Sequence, residues 1–159
     1  FLSELLKIDI FIENIIESQT NKLEPTDKSN QVDILVKNTE GELMLIEVQN
    51  EKEHDYFHRM NFGQAKLITE NINAGDKYSQ VKKVYSINIV YFDLGHGEDY
   101  IYKGNTSFKG IHSHEELGLT SIQKGLYPAK EPADLFATYY IIKINNFNDF
   151  AKDSLDEWI

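Results

Sequence analysis

Cysteine is absent from the 159 residues of this sequence, so a disulfide scaffold and a cysteine nucleophile are excluded. No apolar run approaches the roughly 18 residues of a membrane span, and no signal peptide is visible. Hydrophobic residues make up 41% of the chain and charged residues 26%. These values are close to ordinary globular usage and exclude collagen, a long coiled coil and wholesale disorder. The composition favours one soluble, cytoplasmic domain that spans residues 1–159.

Arginine is also nearly absent. Of the 16 basic residues, 15 are lysines and one is arginine, Arg59. A guanidinium binds phosphate through two parallel hydrogen bonds, which a lysine ammonium does not. Any such bidentate recognition of phosphate in this chain must therefore go through Arg59.

The formal net charge of −10 argues, on its face, against binding to nucleic acid. The charge is uneven, however. Residues 1–60 hold 13 acids and six bases, whereas residues 61–110 hold five acids and six bases. The middle stretch, which includes Lys66, is the only part that can approach a polyanion without net repulsion. Ordinary solvated surface is the alternative interpretation of its lysines.

Hydrophobic periodicity predicts a mixed α/β domain. Helical spacing is found at 1–7, at 51–73 and in a final segment after 145–148. Strand patterns are found at 10–18, 32–37, 43–49, 84–92, 100–102 and 139–144. On the middle helix, one face is predicted to carry Phe57, Met60, Gln64, Leu67, Ile68 and Ile72. Residues 104–120 are polar and give no clear pattern.

The clearest local signal is a hairpin between the strands at 32–37 and 43–49. The turn Thr39-Glu40-Gly41 contains a glycine that can adopt positive φ. With this turn, Asn38 pairs with Glu42, and antiparallel counting places Asp33 directly opposite Glu47.

Three polar residues interrupt these apolar strands: Asp33, Glu47 and Gln49. Because side chains alternate along a strand, the predicted register puts all three on one face. Two carboxylates that face each other across a ladder destabilise it unless a cation lies between them. Mg²⁺ prefers oxygen ligands and usually takes one or two carboxylates, and Gln49 can then orient a water. The alternative is a hairpin whose solvated face merely carries charge.

The order of these elements resembles the PD-(D/E)XK nuclease superfamily, and within it the PD-(D/E)XK nuclease family transposases. The resemblance rests on QVDILVKNTEGELMLIEVQ (31–49), YFHRMNFGQAKLITENINAGDKYSQVKKVYSINIVYF (56–92) and YYIIKINNFNDFAKDSLDEWI (139–159). It implies a restriction-endonuclease-like core, a mixed central sheet flanked by helices. It also implies Mg²⁺-dependent DNA endonuclease activity, with Mn²⁺ as a substitute, in recombination or mobile-element biology.

The resemblance also implies roles for individual residues. Asp33 and Glu47 match the two metal-binding carboxylates, with the Val48 carbonyl as a further metal ligand. Gln49 stands where the superfamily commonly has lysine, and it would position the attacking water. Arg59 matches an arginine that contacts substrate phosphate or braces the site.

Lys66 is a second candidate for DNA contact, and Glu4 and Glu17 are candidates for an additional helical acid. The chain also looks as though it lacks part of an N-terminal segment and the end of its C-terminal helix. A homodimer is left open.

Two other functions remain as alternatives. One is a catalytically weak or inactive nuclease-fold module that binds DNA or a protein. The other is a zinc hydrolase that uses His54 and His58, although no third ligand is evident.

Overall fold

The structure, a computed structural model, describes residues 1–17, 32–146 and 153–158. Within these ranges it has six strands and three α-helices, which confirms the predicted mixed α/β architecture. The helices are α1 (Leu2–Leu6), α2 (Tyr56–Glu70) and α3 (Ser121–Leu126). The strands are β1 (Ile12–Glu17), β2 (Val32–Asn38), β3 (Leu43–Gln49), β4 (Val84–Val90), β5 (Ile101–Gly104) and β6 (Thr138–Lys143).

All six strands belong to one mixed sheet with the order β1-β2-β3-β4-β6-β5. Strands β1, β2 and β3 form an antiparallel meander. Strands β3, β4 and β6 run parallel, and β5 pairs antiparallel with β6 at the far edge. A parallel pair needs a crossover connection, and α2 provides it between β3 and β4. The C-terminal ends of β3 and β4 therefore meet at one edge of the sheet, close to the start of α2.

The predicted hairpin between β2 and β3 is confirmed. The Asn38 N–H donates to the Glu42 carbonyl at 3.1 Å, and the Gly41 N–H donates to the Asn38 carbonyl at 3.0 Å. Gly41 has a φ of 79°, the left-handed conformation that favours glycine. The resulting three-residue turn fixes the register in which Asp33 lies opposite Glu47.

The two faces of the sheet bury different clusters. One face packs α1 and Leu155 against Val36, Met44 and Ile87. The other face lies under α2, where Leu67 packs on Leu35, Leu43, Leu45 and Val84, and where Tyr56 and Met60 pack with Val90, Phe92 and Leu94. Among the described helices, none is long and apolar enough to cross a membrane. The sheet is thus covered by helix on both faces, and α2 covers the face that carries Glu47.

Helix α2 begins later than the sequence analysis predicts, at Tyr56 instead of position 51. The predicted buried face is correct for Met60 and Leu67 and wrong for Phe57, which is 52% exposed. Tyr56 takes the buried position instead. Phe57 lies on the wall of an apolar cavity of about 390 Å³ that also contacts β5 and β6. The helix ends at Glu70, and directly after it the Asn71 side chain donates to the Leu67 carbonyl at 2.8 Å.

Two further segments differ from the sequence analysis. Helix α3 was not predicted; it begins with a capping box in which the Thr120 hydroxyl accepts from the Gln123 N–H and the Gln123 side chain accepts from the Thr120 N–H. The predicted final helix lies partly outside the described residues. At its described end, Asp156–Trp158 forms a 3₁₀ turn instead of an α-helix.

Candidate active site

Two polar side chains lie at the C-terminal end of β3, on the sheet face under α2. Glu47 is 5% exposed and Gln49 is 3% exposed. Alternation along β3 puts both on the same face as Leu43 and Leu45, whose side chains pack against α2 and its neighbours. A carboxylate is rarely buried unless it is paired or coordinates a metal. The burial of Glu47 therefore indicates a site that is built around its charge.

The backbone register brings Asp33 to this position of the sheet. Asp33 of β2 pairs directly with Glu47 of β3, which in turn pairs with Asn88 of β4. Directly opposed residues of an antiparallel pair share a sheet face. Asp33, Glu47 and Asn88 thus occupy one row across three adjacent strands. The side chain of Asp33 lies outside the described part of the structure.

Arg59 faces this row from the first turns of α2. Its Nε lies 3.7 Å from Glu47 Oε1, and its Nη1 lies 3.1 Å from Glu53 Oε1. The guanidinium also lies near the Tyr56 ring, with Cζ 6.0 Å from the ring centroid. The single arginine of the chain therefore bridges two carboxylates at the start of the helix. Its side chain is only 19% exposed, so this geometry is closer to bracing of the site than to an open phosphate-binding surface.

A buried hydrogen-bond network extends the row on β4. The Tyr56 hydroxyl donates to Asn88 Oδ1 at 3.2 Å, and Asn88 Nδ2 donates to Ser86 Oγ at 2.9 Å and to the Tyr140 carbonyl at 3.2 Å. Asn88 is completely buried. The network ties the first turn of α2 to β4 and β6 beside Glu47. The sequence analysis did not single out Asn88 or Tyr56, although an asparagine inside the apolar strand VYSINIV is a visible signal.

The remaining predicted site residues are placed as follows. Val48 lies between Glu47 and Gln49 on β3, so its backbone is at the same end of the sheet. Lys66 lies on α2 seven residues after Arg59, about two turns or about 10 Å along the helix axis. Its Nζ lies 3.7 Å from Glu70 Oε1. Lys66 therefore belongs to the same helix as Arg59 but not to the immediate surroundings of Glu47.

Lys83, a lysine of the near-neutral middle stretch, does not face the site. It directly precedes β4, about 16 Å along the strand from Asn88. Its Nζ donates to the Ala133 carbonyl at 2.7 Å, to the Thr138 hydroxyl at 2.8 Å and to the Phe136 carbonyl. Burial lowers the pKa of Lys83 below its usual value. This lysine anchors the segment before β6 and has no spare donor for phosphate.

The candidate ligands for other sites are not assembled. His54 precedes α2 whereas His58 lies within it, and both side chains are exposed. The described residues contain no group of three or more His, Asp or Glu side chains that could hold a metal ion. Glu4 lies on α1, which covers the opposite face of the sheet, and pairs with Lys7. Glu17 of β1 lies directly opposite Ile34 of β2, which is the residue after Asp33. The backbone position of Glu17 therefore belongs to the row of Ile34 and not to the row of Asp33.

Comparison with known proteins agrees with this architecture. A family model described as "PD-(D/E)XK nuclease family transposase" matches residues 1–122. Comparisons with curated proteins and with solved structures gave no significant match. The six-stranded mixed sheet with three helices is an α/β fold consistent with a restriction-endonuclease-like core, and the family match supports a nuclease-like function linked to mobile elements. Since the match covers more than half of the sequence, this chain belongs to the PD-(D/E)XK nuclease family transposases.

Proposed function

We propose that this protein is a metal-dependent endonuclease that hydrolyses DNA phosphodiester bonds in recombination or transposition. One observation carries the proposal: the β2–β3 register sets Asp33 opposite Glu47, and the Glu47 carboxylate is buried under α2 with an arginine beside it. Two opposed acids destabilise a ladder, and a divalent cation held between them would offset that repulsion. The family match supplies DNA as the substrate class.

The donor set fits a hard divalent cation. Asp33 and Glu47 offer carboxylate oxygens, and the Val48 carbonyl is a third oxygen from the same end of β3. Mg²⁺ and Mn²⁺ prefer such oxygen ligands, and Mg²⁺ commonly retains waters and takes substrate phosphate as well. When bound, the cation would neutralise charge on the scissile phosphate and make attack by water easier.

The side chains around this position have separate tasks in the proposal. Asp33 and Glu47 hold the cation, and Gln49 orients the attacking water from the next residue on the same face. Arg59 braces Glu47 from the start of α2. Lys66, two turns along α2, contacts the DNA backbone farther from the cut.

The test is conversion of supercoiled plasmid to nicked and linear forms in Mg²⁺ or Mn²⁺, with EDTA as the metal-free control. Asp33→Ala and Glu47→Gln are expected to lower the nicking rate by at least about a hundredfold. Glu40→Gln is the matched control, because this exposed acid lies in the turn of the same hairpin. Circular dichroism shows whether each variant keeps the fold. Nicking by Asp33→Ala at the parental rate would refute the proposal.

The alternative function is a nuclease-fold module that binds DNA or a protein without cutting. Gln49 in place of lysine favours it, since the site then lacks a cation that stabilises negative charge in the transition state. Isothermal titration separates the two functions, because only an active site requires an affinity for Mn²⁺ that depends on Asp33. The single domain over residues 1–159, the cytoplasmic location and the homodimer remain predictions.

A further inference from the structure

Glu53, which the sequence pattern did not point to, connects the two polar groups nearest to Glu47. Its Oε1 accepts a hydrogen bond from Gln49 Nε2 at 3.2 Å and another from Arg59 Nη1 at 3.1 Å. Arg59 Nη1 also lies 3.4 Å from Glu53 Oε2. Glu53 belongs to the loop between β3 and α2, and its side chain is 28% exposed. One loop carboxylate thus contacts both the end of β3 and the first turn of α2.

The partners of Gln49 fix which way its amide points. Besides Glu53, Gln49 Nε2 donates to the Glu51 carbonyl at 3.1 Å. A carbonyl and a carboxylate are both acceptors, so the group facing them must be the NH₂ and not the amide oxygen. Both N–H bonds of Gln49 are therefore used. Among the described residues, Gln49 Oε1 has no hydrogen-bond partner.

This orientation matters for the chemistry at the end of β3. A lysine at the position of Gln49 would donate hydrogen bonds and carry positive charge. Gln49 is instead held by its NH₂ group, so its amide oxygen is left as a hydrogen-bond acceptor for a group that lies beside it. An acceptor orients a water by accepting a hydrogen bond from one of its O–H groups, which leaves a lone pair of the water directed elsewhere.

We propose that Glu53 is a positioning residue that locks the Gln49 amide with its oxygen outward as a water acceptor and holds Arg59 beside Glu47. The inference rests on the proposed nuclease function, which it deepens. Glu53 acts through Gln49 and Arg59 and does not itself touch the substrate. Within the described part of the chain its partners are those two side chains: both donate to Oε1, and Arg59 Nη1 also approaches Oε2.

Two variants test whether the acceptor oxygen of Glu53 holds Gln49 and Arg59 in place. Glu53→Ala removes the acceptor, whereas Glu53→Gln keeps an amide oxygen that can still accept from Gln49 and Arg59. In the first readout, NMR follows hydrogen exchange of the Gln49 side-chain NH₂, which requires no DNA and no metal. Glu53→Ala is expected to speed this exchange at least about fivefold, and Glu53→Gln to keep it nearer the parental rate. Glu40→Gln again serves as the control.

The second readout separates positioning from metal binding. Isothermal titration with Mn²⁺ is expected to give the same affinity for Glu53→Ala and the parent within about threefold, while kcat for plasmid nicking falls about tenfold to a hundredfold and KM changes little. A loss of Mn²⁺ affinity greater than about a hundredfold, which exceeds the cost of removing an outer-shell partner, would make Glu53 a metal ligand and overturn the inference. Unchanged exchange of the Gln49 amide would overturn it as well.

The two failures are distinguishable. If the parent protein does not nick DNA, the proposed nuclease function fails, but the exchange measurement still decides whether Glu53 locks Gln49. If the parent nicks DNA and Glu53→Ala leaves both exchange and kcat unchanged, only the inference about Glu53 fails. Thermal unfolding of both variants shows whether either loses the fold. If Glu53→Ala does not fold, Glu53→Gln is compared with the parent instead.

Discussion

Replacing Gln49 with lysine introduces an ammonium at the end of β3 that would meet Glu53. The Gln49 nitrogen already lies 3.2 Å from Glu53 Oε1. A lysine is one bond longer than glutamine, so its Nζ can remain within about 4 Å of that carboxylate, a distance at which a salt bridge forms. We therefore expect the lysine to be captured by Glu53 instead of facing the cation site.

The interaction free energy between a lysine at position 49 and Glu53 depends on the distance between the charges and on their exposure. Two unit charges about 4 Å apart interact by about 4 kcal/mol at an effective dielectric constant of about 20. Glu53 is 28% exposed and already pairs with Arg59, and both facts reduce the share left for a new lysine. Partly exposed pairs of this kind give smaller values in double-mutant cycles, so the coupling between Lys at position 49 and Glu53 is expected to be about 1–2 kcal/mol.

Urea unfolding of four proteins measures this coupling: the parent, Gln49→Lys, Glu53→Gln and the double variant. The cycle cancels the cost of burying an ammonium at position 49, because that cost is present with and without Glu53. In plasmid nicking, Gln49→Lys alone is expected to be no faster than the parent, and the double variant is expected to be faster than Gln49→Lys. A coupling below about 0.3 kcal/mol would refute the geometry from which the capture is derived.

Three further predictions concern stability. Asn88→Leu removes three buried hydrogen bonds and is expected to lower the free energy of unfolding by about 2–4 kcal/mol, which the urea midpoint reports at constant m-value. Burial, together with a hydrogen bond to Asp156, raises the pKa of Tyr100 to about 12 from its usual 10.0. Its contribution to stability is therefore complete below pH 10 and is lost as pH rises from 10 to about 12; Tyr100→Phe is expected to flatten alkaline unfolding followed by circular dichroism. Gly97→Ala is expected to lower stability by about 2 kcal/mol in thermal unfolding, because φ is +155° and a new Cβ would lie 2.1 Å from the Tyr102 hydroxyl.

The part of the site that lies on regular strands was predictable from the sequence. Alternation along the strands and the Gly41 turn fix the register of the hairpin, so the pairing of Asp33 with Glu47 follows from counting. The same alternation places Gln49 on the face of Glu47. Both predictions depend only on the alternation of side chains every two residues along a strand. They require no knowledge of tertiary contacts.

The loop between β3 and α2 was not predictable in the same way. The sequence analysis began the helix at residue 51, but residues 51–55 carry no apolar side chain that would fix a helix face, and α2 begins at Tyr56. No periodicity determines where Glu53 points, because a loop side chain follows its tertiary partners, here Gln49 and Arg59. The exposure of Phe57 has the same origin, since rotation of α2 buries Tyr56 against Val90 and Phe92.

Helix α3 was missed although its signal is present. The sequence Thr120-Ser-Ile-Gln123 has the spacing of a capping box, and the structure forms both of its hydrogen bonds. Hydrophobic periodicity did not reveal it, because the helix has only two large apolar residues, Ile122 and Leu126, and buries neither. A search for caps, instead of for apolar faces, would have found it.

The measurement that tests the central claim most directly is Mn²⁺ binding by isothermal titration to the parent, Asp33→Asn, Glu47→Gln and Glu40→Gln. The claim is that the opposed carboxylates of β2 and β3 hold one divalent cation. It predicts saturable binding in the parent and in Glu40→Gln, and a loss of at least about tenfold in affinity in each of the other two variants. Equal Mn²⁺ affinity in all four proteins would contradict it.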